Sequence, residues 1–407
     1  MTYLRFLIEN VRWLLVGFLL TLTSSYGQTY FISIFAADIR AEFGLSHGSW
    51  GAIYSIGTTA SAVVMIWAGV LTDHFRVRVL APVILVGLAI ACLAMSAVPS
   101  VALLVVVIFM LRFTGQGMTS QIAMVAMARW FQATRGRALS IASLGFAFGQ
   151  AMLPLIFVAL MAAIGWRQSW LVAAGLAVFL IPVILWCLAQ ERTPKSIADS
   201  TSAIGMDGRM WTRGELLKHW LFWLCVPLLL GPPAWGTALF FQQVHLAEVK
   251  GWSLVEYVSL YPWFTITSVS ATFLVGMGVD KFGAGRILPL VPLPFMIGFI
   301  VISFSTVPII AGIGLMIVGL GMGMQGTVVG AFWAEHYGTR YIGSIKSAAA
   351  AVMVFGSAIG PGVSGYLIDF GVPFTTQMLA YALYFGLSSA LATAGVLRAR
   401  KRLTVTA

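Results

Sequence analysis

Long apolar runs alternate with short polar ones along nearly the whole chain. Stretches such as "VILVGLAIACLAMSAV" (83–98) and "VALLVVVIFML" (101–111) carry no charged residue. An apolar run of about 20 residues is what a helix needs to cross a bilayer. Helices and closed barrels alone satisfy every backbone group there, and the alternating ten-residue segments of a barrel are absent. Cutting the pattern at its polar breaks predicts twelve spans, at 11–37, 48–72, 79–97, 101–127, 136–163, 167–190, 217–246, 254–279, 287–305, 308–333, 344–369 and 373–397. The expected fold class is therefore an all-α integral membrane protein with twelve transmembrane helices.

One polar stretch is long, "QERTPKSIADSTSAIGMDGRMWTRGE" (190–215), and it reads as a linker. It divides an N-terminal six-helix bundle (1–190) from a C-terminal one (217–407) with a short basic tail, the linker itself covering 191–216. A constant offset of 207 residues aligns landmarks across it. Gly69, Asp73 and Phe75 fall on Gly276, Asp280 and Phe282; Gly44 and Ser46 on Gly251 and Ser253; Pro82 on Pro289. Gly136 and Ser140 meet Gly343 and Ser347, while Phe148, Gly149 and Pro154 meet Phe355, Gly356 and Pro361. Two bundles of parallel topology, with a solute site near mid-membrane, are the pattern of a secondary transporter.

Composition sharpens this. The chain is 60% hydrophobic and 9% charged, against about 25% charged in a soluble domain. A net charge of +11 raises the question of nucleic acid, and the placement of the charges answers it. Of 24 Lys and Arg, Arg40, Arg167 and Lys250 fall in the loops of one side, Arg112 lies within a span, and the remaining 20 are on the opposite side. That is the positive-inside pattern, which puts both termini and the linker in the cytoplasm of an inner or plasma membrane. Nucleic acid is thus excluded, and the partners expected are the bilayer and a small solute, with the chain acting as a monomer. Cys92, Cys187 and Cys225 are isolated in apolar spans and read as packed hydrophobes. The five His lack metal-ligand spacing and no phosphate-binding Gly-Lys-Ser/Thr motif exists, so neither metal, cofactor nor ATP is expected. No catalytic constellation marks an enzyme. Asp38, Glu42, Glu248, Glu335 and Asp369 all lie near span ends, so no embedded carboxylate marks a proton relay. Uniport and exchange both stay open.

Several motifs carry a family resemblance. "GVLTDHFRVR" (69–78) and its echo "GMGVDKFGAGR" (276–286) resemble the loop motif between the second and third helices of the major facilitator superfamily and its second-half counterpart. "RFTGQG" (112–117) resembles that family's fourth-helix motif, and "GSAIGPGVSG" (356–365) its glycine–proline motif, here in the eleventh helix. "RWFQATRGRALSIA" (129–142) is similar to the entry to the fifth helix in the monocarboxylate and oxalate/formate branch. The resemblance implies two pseudo-symmetric six-helix bundles and transport by alternating access. Two departures stand out. Arg76 occupies the place of a motif glycine, and the eighth span has no Lys or Arg, where that branch often carries an arginine for the substrate carboxylate.

Gly69 and Gly276 remove side chains where helices must approach. In a two-halves fold Asp73 and Asp280 would sit beside the starts of the eleventh and fifth helices, near Ser344 and Gly136, where helix dipoles favour an acid. Arg76, Arg78, Arg135 and Arg137 add charge-assisted bonds, with Lys281 and Arg286 in the echo. The reading is a cytoplasmic gate that favours the outward-open state; ordinary boundary charges are the alternative.

Arg112 lies 11 residues into the fourth predicted span, about 16 Å deep at about 1.5 Å per residue. A buried arginine there costs at least ~2.5–3.5 kcal/mol unless it meets water or a partner. It reads either as a cationic contact for an anionic substrate or as a tie to backbone carbonyls of neighbouring helices. Gln116 is one turn away and shares either role. Tyr26, Tyr30, Gln150, Trp235, Gln242, Tyr257, Tyr261 and Gln325 sit at mid-span and could line a solute cavity or pack between helices. Gly356, Gly360, Pro361 and Gly365 supply close contacts and a bend. The expected function is secondary active or facilitative transport of a small organic anion, monocarboxylate-like; the alternative is efflux of drugs or hydrophobic metabolites.

Overall fold

Each long apolar run folds as a helix, because in lipid no other local structure pairs every amide within one segment. The computed structural model describes residues 3–131, 134–189, 205–338 and 340–400, with the backbone alone at 3, 4, 73 and 135. Among the described residues no strand occurs, and twelve helices are long and apolar enough to cross a membrane. They are α1 (Arg5–Gly27), α2 (His47–Ala68), α3 (Val77–Ala97), α4 (Val101–Trp130), α5 (Gly136–Ile164) and α6 (Trp166–Cys187). The second six are α7 (Trp220–Phe241), α8 (Leu254–Phe282), α9 (Ala284–Phe304), α10 (Pro308–Tyr337), α11 (Ile342–Asp369) and α12 (Phe374–Arg400). The protein is a multi-pass integral membrane protein. It divides into two compact units, Met1–Asp199 and Ser200–Ala407.

Local chemistry sets the boundaries. The side chains of Ser46 and Ser253, 207 residues apart, accept hydrogen bonds from the Ser49 and Glu256 amides at the starts of α2 and α8. Such caps satisfy amides that a helix start leaves open. The first span begins earlier than its hydropathy suggests and loses regularity at Ser24–Gly27, a 3-10 turn, before helical turns carry the chain on to Phe43. Serine competes with helical bonding through its own hydroxyl; Ser24 Oγ donates to the Thr21 carbonyl at 2.6 Å and Ser33 Oγ to the Thr29 carbonyl at 2.7 Å. The stretch Pro232–Gly236 interrupts α7 as a π-turn, since two prolines remove backbone donors. A longer π segment, Arg112–Thr119, interrupts α4.

Aromatic groups fill the first unit around Phe31, which meets Phe157 and Trp170 edge-on at 4.7 and 5.4 Å. In the second unit Trp333, Phe332, Tyr337 and Phe222 take that part. Residues 190–204 of the predicted linker lie outside the described residues. Its remainder packs on the second unit: Met206 and Trp211 are buried, and the Trp211 amide donates to the Tyr337 carbonyl at 3.1 Å.

Candidate functional site

The two interruptions of the first unit meet. A methyl on Gly27 would overlap the Leu111 carbonyl, and one on Gly115 would sit 2.7 Å from the Gly27 amide nitrogen. Helices approach this closely only where both surfaces lack side chains. Arg112, 1% exposed, donates from Nη1 to the Gly27 carbonyl at 3.0 Å. Its guanidinium carbon lies 5.3 Å from the centre of the Tyr54 ring, and the Tyr54 hydroxyl shares a 2.6 Å hydrogen bond with Thr29 Oγ1. Arg112 therefore ties α1, α2 and α4 through a carbonyl and a ring. Among the described residues no carboxylate pairs with it, and its Nε has no partner. Among the described residues this buried guanidinium has no counter-ion. Gln116 lies half-buried in the same π segment.

Tyr26 and Tyr30 belong to the aromatic side of that unit. Tyr26 sets its edge against Phe31 at 5.2 Å, and Tyr30 donates to Ser25 Oγ at 2.9 Å and meets Phe146 at 5.8 Å. Gln150 is buried on α5, one residue past Gly149, where a methyl would overlap Ser25 Oγ.

In the second unit the interrupted α7 meets α11. A methyl on Gly360 would overlap the Ala234 carbonyl, and one on Gly356 would sit 2.8 Å from the Leu230 carbonyl. Pro361 lies inside α11, and Gly365 is buried one turn on. Trp235 stacks on Tyr381 at 4.2 Å and 10°. Gln242 donates to Ser364 Oγ at 3.1 Å, Gln377 to the Ser364 carbonyl at 3.3 Å, and Tyr381 to Gln377 Oε1 at 2.9 Å. Trp235 and Gln242 are thus gathered into one network with α11 and α12. Tyr261 donates to Gln243 Oε1. Tyr257 is fully buried with no partner for its hydroxyl, and Gln325 is 4% exposed with no partner for Nε2, among the described residues. Gln243, Ser364, Gln377 and Tyr381 escaped the sequence reading. Lone polar groups near span ends carry no periodic signal; the period-four spacing of Gln377 and Tyr381 is the one trace they leave.

The loops after α2 and α8 are fixed differently. Arg129 Nη1, near the end of α4, donates to the Thr72 carbonyl at 2.5 Å. Glu335, near the end of α10, accepts from the Ala284 amide at 2.7 Å and the Gly285 amide at 3.4 Å. Gly283 stands there at φ 81°, ψ 149°, whereas Arg76, its equivalent, takes φ −68°, ψ 145°. Within their own units the two differ: a methyl on Gly69 would sit 3.2 Å from the Met65 carbonyl, a tight contact, whereas the nearest atom to one on Gly276 would be Thr327 Cγ2 at 4.0 Å. Arg76, Arg78, Arg137, Asp280, Lys281 and Arg286 are exposed. The side chains of Asp73 and Arg135 lie outside the described residues.

At the opposite ends of α3 and α9, cations hold carbonyls. Arg167 donates to the Ser96 and Val98 carbonyls, both at 2.8 Å, and pairs with Glu42 at 2.5 Å. That bond holds the Glu42 carboxyl below the usual carboxylate range. Lys250 donates to the Ser303 and Ser305 carbonyls at 2.7 Å, and burial lowers its ammonium from the usual lysine range. Among the described residues no cluster of His, Cys, Asp and Glu could hold a metal.

The family model described as Major Facilitator Superfamily matches residues 17–361. At 26% identity over 396 residues, 96% of each chain, the sequence is similar to a Thermoproteus tenax protein described as an uncharacterized 38 kDa protein in 23S RNA operon. Among solved structures it is similar to a bacterial homolog of the human lysosomal transporter Spinster in an inward-facing, unoccupied conformation, with TM-score 0.74, 17% identity, and coverage of 98% of this chain and 99% of that one. The nucleoside transporter NupG gives TM-score 0.69 at 14% identity, with 96% and 99% covered. At such identities the likeness to these structures is one of fold.

Proposed function

Because the chain belongs to the Major Facilitator Superfamily, we propose that it carries a small organic anion of the monocarboxylate kind, by alternating access. Transport is that family's activity, so the protein is a membrane transporter rather than an enzyme. The observation that carries the anion reading is Arg112. A cation kept at mid-span costs several kcal/mol unless it is compensated, and here a carbonyl and a ring face are its partners, with Nε–H left over. An arriving carboxylate supplies the missing counter-charge, at its strongest where water is scarce. The hydrogen bond to Gly27 holds the guanidinium in place while it waits. The hydrophobic-solute exporter has the Trp235–Tyr381 stack in its favour, and it leaves Arg112 only the structural tie between α1, α2 and α4. The two Gly–Asp loops, at Gly69 and Asp73 and at Gly276 and Asp280, are assigned to gating at the cytoplasmic end.

The test is uptake into proteoliposomes of labelled monocarboxylates, dicarboxylates, nucleosides and cationic drugs, with and without a pH gradient. Saturable monocarboxylate transport is expected, lost in Arg112→Leu and kept in part by Arg112→Lys. Full rate and affinity in Arg112→Leu, or uptake of nucleosides or cations alone, would overturn the anion reading. For the gate, Asp73→Asn is expected to change the labelling of a cytoplasmic-end cysteine; an unchanged pattern removes Asp73 from that role.

A further inference from the structure

Two arginines outside everything described above, Arg12 and Arg398, have no counter-ion among the described residues. Arg12 on α1 is exposed, its guanidinium carbon 5.1 Å from the centre of the Trp186 ring on α6. No hydrogen bond or ion pair engages it among the described residues, and Glu9, nearly one turn earlier, is paired with Arg5 at 2.7 Å. Beside it opens a cleft of about 240 Å³ lined by Ile8, Glu9, Val11, Arg12, Trp13 and Cys187. The neighbouring side chains are apolar and bare: Ile8 is 67% exposed, Val11 57% and Trp186 61%. On a membrane-spanning helix such a surface meets acyl chains, and an indole there marks the headgroup level.

The second unit repeats the arrangement with the partners exchanged. Arg398, two residues before the end of α12, lies 4.9 Å from the ring centre of Trp220, the first residue of α7. It too has no hydrogen bond or ion pair among the described residues, and Trp223 and Leu397 nearby are 59% and 60% exposed. The helix pairs are equivalent, α1 with α6 and α7 with α12. Trp220 falls 207 residues after Trp13, which lines the first cleft. The first unit puts its cation on the first helix of the pair and the ring on the sixth; the second unit does the reverse. An arrangement reached twice with different residues at one boundary points to a common ligand.

A guanidinium presents a planar fork of N–H donors that matches phosphate. Stacking on indole leaves the edge of that fork free. We propose that Arg12 and Arg398 each bind the phosphate of an anionic phospholipid, one at the α1–α6 boundary and one at the α7–α12 boundary. The headgroup takes the cation, and the acyl chains run along the exposed apolar side chains. Inorganic phosphate shares the chemistry but gains nothing from that apolar surround.

The experiment is native mass spectrometry of the purified full chain, titrated with phosphatidylglycerol or phosphatidylcholine. Phosphatidylglycerol is expected to bind in preference. Arg12→Gln and Arg398→Gln are each expected to weaken it about fivefold, the fold-change of about 1 kcal/mol per basic residue at an anionic surface. The double variant is expected to lose both contributions, and Arg12→Lys with Arg398→Lys to keep most of the preference. Three results would each overturn the proposal: an undiminished preference in the double Gln variant, equal binding of the two lipids to the wild-type chain, or displacement of phosphatidylglycerol by millimolar inorganic phosphate. The last two need no variant to fold.

Discussion

Arg112 and Gly319 hold the same place in their units, 207 residues apart, and the helices around them differ accordingly. In the first unit α4 opens into a π segment, meets the interrupted α1 through Gly27 and Gly115, and inserts a cation that binds the Gly27 carbonyl. In the second, α10 stays α-helical through Gly319, which presses instead on α8, a methyl there sitting 2.5 Å from the Phe264 carbonyl. The loops show the same divergence. Arg129 fixes the first loop by its carbonyl, Glu335 the second by its amides, from helix ends that correspond. At the far end Arg167 and Lys250 hold equivalent carbonyls, yet the equivalent of Arg167 is Phe374 and that of Lys250 is Phe43. The two units share where backbone groups are satisfied, while the satisfying side chain comes from different neighbours. An unpaired backbone group is costly wherever it lies in the apolar layer, so the need is fixed and the donor is free to wander.

Gly27→Ala tests the sharpest difference. The equivalent of Gly27 is Ala234, so a methyl is native in one unit and has no room in the other. Because the obstructing atoms are backbone, the variant is expected to lose about 3 kcal/mol, the upper end of overpacking costs. Ala234→Gly is expected to cost about 1 kcal/mol or less. Apparent unfolding temperatures in detergent compare the two; similar losses would remove the close approach of α1 and α4 as a distinguishing feature.

Gly283→Ala comes next. At φ 81°, ψ 149° the backbone sits where glycine alone is comfortable, and the expected cost is about 1–3 kcal/mol. Arg76→Gly is expected to cost only a few tenths, through chain entropy. Glu335→Gln keeps the shape but not the charge on the Ala284 and Gly285 amides, with an expected loss of about 1 kcal/mol. The loss should appear as faster hydrogen exchange at those two amides, and unchanged exchange would mean the carboxylate is dispensable.

The twelve helices were legible because bilayer crossing needs length and apolarity, which a sequence displays directly. The 207-residue offset likewise exposed Ser46 with Ser253, both of which cap helices, and Gly149 with Gly356, both of which lie against a neighbouring helix. Arg112 stood out because a charge amid apolar residues is visible without a structure. Its alliance with Gly27 was not, since a carbonyl bond depends on where α1 loses its regular bonding, and Ser24 and Ser25 signal that only weakly. The Gln242–Ser364–Gln377–Tyr381 chain was hidden for a related reason: each member is ordinary in its own helix, and the network exists only once three helices are packed. Arg167 with Phe374 and Phe43 with Lys250 do not match at that offset, although the carbonyls the two cations serve align.

The smallest effect separates those two cations by pH. Arg167 depresses the Glu42 carboxyl, so their bond adds stability above the carboxylate's unfolded range of about 4.3, and that part fades as pH falls through the lower folded value. Arg167 is partly exposed at 28% and Glu42 exposed at 40%, which limits the loss to a few tenths of a kcal/mol. Lys250 has no carboxylate in its bonds to Ser303 and Ser305. Its ammonium is lowered by burial, so its charge opposes folding slightly at neutral pH, and that penalty is relieved only as pH rises towards about 10.4. Acid should therefore loosen the end of α3 and leave the end of α9 alone. Hydrogen exchange at residues 96–98 and 303–305, corrected for intrinsic rates at pH 7 and pH 4, reads each end separately. Glu42→Gln is expected to show the loosened state of α3 already at pH 7 and no further change in acid; an acid response equal to the wild type would place its source elsewhere.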